Sequence, residues 1–189
     1  MSLKEDINFS LWCDFIERDF LETRFKEIIK KNIIQGATSN PAIFESSITS
    51  SVAYKQQLDM LQANNAKTIY EELALTDIKR AAALLTDLHK KDADDGFISI
   101  EVDPLLCDDA AGTIEEGVRL YSSINVDNVM IKIPATEAGY IAMRELTSKG
   151  INVNATLIFS PEQAIKCTQA LDEGIRDSNK DIKAVVSVF

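Results

Sequence analysis

Short apolar or alternating runs recur along the chain, at Phe9–Phe15, Ile33–Pro41, Phe97–Pro104, Asn128–Pro134, Ile151–Phe159 and Ala184–Phe189, with helical patterns between them. Runs this brief suit strands, and strands that alternate with helices predict an α/β fold of repeated βα units around a parallel sheet. Ile114–Ile124 and Ala138–Lys149 place apolar residues at helical spacing, and the second ends at Gly150. Ser160-Pro161-Glu162-Gln163 has the form of a helix start, with Ser160 as N-cap and Pro161 as first helical residue. The stretch from Glu45 to Lys91 exceeds one crossover and predicts two or three helices between the second and third strands. No linker or low-complexity segment interrupts the rhythm, so residues 1–189 are expected to form a single domain.

The formal charge of −10 disfavours nucleic acid and anionic membrane as partners, because such a surface repels polyphosphate backbones. Any phosphate would need a local pocket. Cys13, Cys107 and Cys167 are widely spaced, without a C-x-x-C pair or a nearby His, and are expected to be buried thiols in a reducing compartment. The opening MSLKEDINFS lacks the apolar stretch of a signal peptide, and no segment approaches 18 unbroken apolar residues. A cytoplasmic location is therefore expected.

Strand side chains alternate between faces, so each run can be split by parity. In Phe97–Asp103, Ser99, Glu101 and Asp103 share a face opposite Ile98, Ile100 and Val102. In Asn128–Pro134, Met130 and Lys132 oppose Val129, Ile131 and Ile133. In Ile151–Leu157, Asn152, Asn154 and Thr156 oppose Ile151, Val153, Ala155 and Leu157. Asp14 falls on the face of Ser10 and Trp12, Thr38 and Asn40 on the face of Gly36, and Ser187 between Val186 and Val188. Helices must cover the apolar faces, which leaves the polar ones for a barrel axis near the strands' C-terminal ends, where barrel enzymes place their chemistry. Lys132 stands out among them. Burial lowers the pKa of an ammonium group towards the neutral amine that attacks carbonyls, although an ion pair with an inward carboxylate such as Glu101 or Asp14 would also account for it.

The runs Gly-Ala-Thr-Ser-Asn-Pro-Ala-Ile-Phe at 36–44, Ser-Ile-Glu-Val at 99–102, Ile-Lys-Ile-Pro-Ala-Thr at 131–136 and Asn-Ala-Thr-Leu-Ile-Phe-Ser at 154–160, with Leu11-Trp12-Cys13-Asp14, resemble the transaldolase family. The resemblance implies a (β/α)8 TIM barrel of which this chain supplies about six βα units. It implies Lys132 as Schiff-base lysine, Asp14 as the group exchanging a proton with the substrate's C4 hydroxyl, and Glu101 with Thr156 as holders of a catalytic water. Asn40, Asn154 and Ser187 would bind the dihydroxyacetone part, with Thr38 on the same polar face and Phe189 at a position that differs within the wider family. The implied reaction moves a dihydroxyacetone unit from sedoheptulose 7-phosphate or fructose 6-phosphate to glyceraldehyde 3-phosphate or erythrose 4-phosphate, in the non-oxidative pentose phosphate pathway, with sugar phosphates as partners and no metal or organic cofactor.

Simple cleavage of fructose 6-phosphate is the alternative activity; that aldolase group carries Gln where Glu101 stands and Tyr where Phe189 stands. The residues around Lys132 do not resemble the motif of deoxyribose-phosphate aldolase. Eight strands are implied and six are spelled out, and the family's phosphate-binding arginines have no counterpart in this sequence. The reading is therefore of a C-terminally truncated barrel with weak or no transfer activity. Its open edges would favour a homo-oligomer or edge pairing with another copy, and an inactive fragment with a binding or assembly role is a further alternative.

Other features have plainer readings. His89 is expected on the surface at a helix C-terminus. Asp92–Gly96 lacks the later glutamate of a calcium loop and is expected to be a turn. Asp103, Asp108 and Asp109 are expected in a solvated loop, and Trp12 and Phe44 as packing residues at the barrel mouth.

Overall fold

The structure is a computed structural model that describes residues 3–189. Its contacts group into two compact units, one ending at Ile98 and one covering Ser99–Phe189. The first runs α1 (Leu3–Ile7), β1 (Trp12–Cys13), α2 (Arg18–Phe20), a π-helical turn (Leu21–Phe25), α3 (Lys26–Lys30), β2 (Gly36–Thr38), α4 (Pro41–Ser50), a 3-10 turn (Val52–Tyr54), α5 (Lys55–Leu61) and α6 (Ala66–Lys91). After β3 (Ile98–Glu101), where the units divide, come α7 (Ala110–Ile124), β4 (Val129–Pro134), α8 (Glu137–Ser148), β5 (Val153–Ile158), α9 (Pro161–Asp177) and β6 (Ala184–Val188).

The strand order is β1-β2-β3-β4-β5-β6, and β1–β2, β4–β5 and β5–β6 pair in parallel. A doubly wound sheet reverses direction at a switch point; this order never does. It is the order of a (β/α) barrel, of which the chain supplies six units. Every run expected to form a strand contains one, although the first shrinks to Trp12–Cys13. The Glu45–Lys91 stretch is helical as expected, with α4 already begun at Pro41.

In the first unit, α6 starts at Asn65, whose side chain accepts from the Thr68 N–H, and buries Ala74, Ile78, Ala81 and Leu85 at helical spacing. Its end is tied down by His89, which is half-buried, its Nδ1 2.8 Å from the Asp95 carbonyl and its ring edge-on to Phe97. That corrects the surface reading: the histidine braces the Asp92–Gly96 turn. The turn itself forms, with Gly96 at φ +76 in a conformation that side chains rarely adopt.

In the second unit, Val129, Ile131, Ile133 and Val153 are wholly buried, each worth about 1.5–3 kcal/mol if fully removed from water. Ile131 lies beneath α7, beside Gly117. Helices α8 and α9 approach so closely that a Cβ on Gly174 would fall 2.0 Å from the Thr147 hydroxyl. The expected start of α9 is present: Ser160 caps it, accepting from the Gln163 N–H at 3.2 Å.

Two expectations fail here. Of the cysteines only Cys167 is buried, and Cys13 and Cys107 are half-buried. Parity also breaks at Leu157, which is 49 % exposed at φ +58 instead of sharing the apolar face of Ala155. Ala155 pairs with Val186 and Ile158 with Val188, so β5 carries one extra residue there, a β-bulge.

Candidate active site

The second unit gathers one set of polar side chains on a single strand face. Lys132 lies in β4 between Ile131 and Ile133, both wholly buried, and is itself 7 % exposed. Its Nζ is 2.7 Å from Glu101 Oε1, at the end of β3. The ion pair named from the sequence is thus present, and it sets a proton acceptor within direct reach of the amine. Asn154 stands opposite Lys132 in the β4–β5 register and is almost fully buried. Its Nδ2 donates to Ser99 Oγ at 3.3 Å, and its Oδ1 accepts from the Ser187 hydroxyl at 2.8 Å. Strands β3 to β6 therefore supply Glu101, Lys132, Asn154 and Ser187 to one face.

Thr156 follows two residues after Asn154 and is 3 % exposed, yet among the described residues its hydroxyl has no hydrogen-bond partner. Buried hydroxyls are seldom left so, because the lost hydration costs about 1–3 kcal/mol. Asn152, two residues earlier on the same face, differs: its amide donates to the Asp127 and Val129 carbonyls and accepts from the Lys183 N–H. It is a backbone brace. Phe189 is 69 % exposed, with its ring 5.6 Å from that of Phe159.

In the first unit, Trp12 pairs with Gly36, and its indole lies over that glycine, so the Trp12–Asp14 and Gly36–Thr38–Asn40 faces coincide. Asp14 is exposed just past β1, and Thr38 is half-buried at the end of β2. Asn40 has a role the sequence reading missed: it is the N-cap of α4, its Oδ1 accepting from the Ala42 N–H at 3.0 Å. The signal was Asn before Pro41, a cap followed by proline at the first helical position. Only its amide hydrogens remain for a ligand. Phe44 is buried against Tyr70 and serves packing.

A chain of hydrogen bonds links the loops beyond β3, β4 and β5. Thr136 Oγ1 donates to the Cys107 carbonyl at 2.6 Å and caps α8 through the Gly139 N–H. Gln163 Nε2 donates to the Ala135 carbonyl at 3.1 Å, while its Oε1 accepts from the Phe159 N–H at 2.9 Å. Asp103 and Asp109, expected in a solvated loop, are caps as well, accepting from the Leu105 and Gly112 N–H groups.

Burial pushes the Cys13 and Cys167 thiols above their ordinary range, Cys167 to about 11, so neither supplies a thiolate nucleophile near neutral pH. Among the described residues no group of three or more His, Cys, Asp or Glu could hold a metal ion. No helix formed by them is long and apolar enough to cross a membrane. A buried lysine beside a carboxylate, an anchored amide and a buried hydroxyl form a polar cluster that offers charge and hydrogen bonds to a small polar ligand.

Residues 11–189 match the family described as Transaldolase/Fructose-6-phosphate aldolase. The chain is 50 % identical over 181 residues to a Transaldolase of Helicobacter pylori (strain Shi470), covering 96 % of this chain and 56 % of that protein. It is 50 % identical over 193 residues to a Transaldolase of Campylobacter jejuni (strain 81-176), covering 96 % of this chain and 59 % of that one. The chain thus spans 56 to 59 % of the length of these curated relatives.

Proposed function

This chain belongs to the transaldolase/fructose-6-phosphate aldolase family, and on that premise we propose that Lys132 forms a Schiff base with a ketose phosphate and passes its dihydroxyacetone unit to an aldose phosphate. The observation that carries the reading is the Lys132–Glu101 contact of 2.7 Å on a buried strand face, directly across from Asn154. A nucleophilic lysine must shed a proton before it attacks, and Glu101 is placed to accept it.

The amine adds to the ketose carbonyl and water leaves, giving an iminium. Asp14 takes the C4 hydroxyl proton, the C3–C4 bond breaks, and its electron pair flows into the iminium to leave an enamine and a free aldehyde. The enamine carbon then attacks the acceptor aldehyde, the new alkoxide takes a proton, and water adds to the iminium to free the product and the amine. Asn154 and Ser187, already bonded to each other, would hold the three-carbon unit in register. Glu101 and Thr156 would hold the water, which gives the Thr156 hydroxyl its partner.

The substrates in this reading are sedoheptulose 7-phosphate or fructose 6-phosphate as donor and glyceraldehyde 3-phosphate or erythrose 4-phosphate as acceptor. These belong to the non-oxidative pentose phosphate pathway of the cytoplasm. The chemistry needs no cofactor. Glu101 and Phe189 favour transfer over the simple cleavage for which the family is also named. Treating the folded protein with fructose 6-phosphate and borohydride, then mapping mass by peptide, tests the reading: a reduced three-carbon adduct on Lys132 is expected. Folded protein that gains no adduct there would sink it.

A further inference from the structure

We propose that the β-bulge at Leu157 exists to turn Phe159 onto the substrate face, where it joins Phe189 in an apolar wall that favours transfer over release; this rests on the Schiff-base reading above. Without an extra residue, β5 would alternate from Asn154 and Thr156 to Ile158, and Phe159 would lie on the helix-covered face. The bulge shifts the count by one. Ile158 is wholly buried, on the face of its register partner Val188, and Phe159 falls on the other side. Ser187 and Phe189 alternate with Val188 and so occupy that side of β6. The ring contact of 5.6 Å between Phe159 and Phe189 is an independent sign that the two residues share it.

The conformation is costly to hold. Leu157 sits at φ +58, a left-handed backbone that side-chain-bearing residues seldom adopt, and half its surface is exposed, so its own packing gives little return. Downstream the backbone is fixed by Gln163, which accepts from the Phe159 N–H and donates to the carbonyl of Ala135, just after the Lys132 strand. Phe159 is 68 % exposed and Phe189 69 %.

The chemistry supplies a reason. In transfer, the enamine carbon forms its new bond to the aldehyde carbon and the aldehyde oxygen takes a proton. In release, the same carbon takes a proton instead, and water then adds to the iminium so that dihydroxyacetone departs and the Lys132 amine returns. Both routes use water for the last hydrolysis. They differ in which partner reaches the carbon first, and an apolar wall above Thr156 and Ser187 slows delivery of a proton while leaving an aldehyde acceptor room to enter.

The test measures free dihydroxyacetone against sedoheptulose 7-phosphate formed, with fructose 6-phosphate as donor and erythrose 4-phosphate as acceptor, alongside borohydride trapping. The share released is expected to rise in the order Phe159, Phe159→Leu, Phe159→Ala, reaching about tenfold, the scale on which small changes of apolar contact discriminate. Leu157→Val, which resists the left-handed backbone, should raise release with Phe159 intact, whereas Leu157→Gly, which adopts it freely, should keep the parent partition. Phe159 is exposed, so its truncation leaves the core whole. An unchanged partition in Phe159→Ala with normal trapping overturns this inference alone, as does a parent chain that traps yet only releases dihydroxyacetone. Absence of any Lys132 adduct in the parent chain overturns the Schiff-base reading and this inference with it.

Discussion

Each unit carries a buried polar cluster, and the two are built to opposite ends. In the first, Arg18 Nε donates to Asp77 Oδ1 at 2.9 Å, and the Tyr54 hydroxyl donates to Asp77 Oδ2 at 2.8 Å while accepting from the Arg18 N–H. The guanidinium also reaches Gln57 and lies 4.6 Å from the centre of the Tyr54 ring. Burial raises the Asp77 carboxyl above its usual range, and two donors, one each from Tyr54 and Arg18, compensate it. In the second, Lys132 pairs with Glu101 and Ser187 with Asn154, but the adjoining Thr156 hydroxyl has no partner among the described residues. By residue type alone either cluster could be a site. A closed set of hydrogen bonds fixes a fold, whereas a set that leaves a buried group unsatisfied is waiting for something else.

The comparison breaks most decisively at its centre. Lys132→Met should abolish the borohydride-trapped adduct and reduce turnover by on the order of a thousandfold or more, while the chain still folds. Retained adduct would show that another amine does the chemistry. Asp77→Ala should cost about 1–3 kcal/mol in urea unfolding, because it leaves the buried Tyr54 hydroxyl and the half-buried Arg18 without their shared acceptor, yet trapping per folded molecule at Lys132 should persist. If stability holds and trapping falls, the Arg18 cluster is not purely structural.

Thr156→Val keeps the shape and removes the unsatisfied hydroxyl. About tenfold loss of turnover is expected, with stability equal to the parent's or higher by up to about 1 kcal/mol; a large loss of stability would mean the hydroxyl is satisfied in the fold after all. The smallest effect concerns Glu22. Contacts first with Arg80 and then with Lys26 hold its carboxyl at about 2, below the ordinary 4.5, so its contribution is complete above pH 4.5 and is lost as pH falls from 4.5 towards 2. All three side chains are nearly half exposed, so after screening the gain is below about 1 kcal/mol and salt should erase it. Acid titration of Glu22→Gln against the parent chain checks this.

Most of the fold was legible because strands buried on one face and helices with an apolar stripe leave periods that survive in any context. The Lys132 face was legible for the same reason: Val129, Ile131 and Ile133 are apolar by necessity, and Lys132 is the exception between them. Parity failed at Leu157 because a bulge is set by pairing with β6, which no local pattern in β5 records. The Arg18–Tyr54–Asp77 cluster was invisible because its members lie 36 and 23 residues apart in sequence. His89 was misjudged since its partners, Asp95 and Phe97, come from the turn that follows it. Asn40 and Asp103, each followed by proline, and Asp109 at the start of α7 carry cap signals that are local in the sequence.

The bonds that run from Cys107 through Thr136 and from Ala135 through Gln163 to Phe159 act as crosslinks between neighbouring loops. The Thr136–Cys107 and Gln163–Ala135 bonds each join a side chain on one segment to the backbone of another, so a displacement at one loop must be shared by the next. The rim beyond β3, β4 and β5 is thereby stiffened as one girdle, without a disulfide, and the spacing of the groups beneath it is kept against thermal motion. Inserted residues should be tolerated poorly within this girdle.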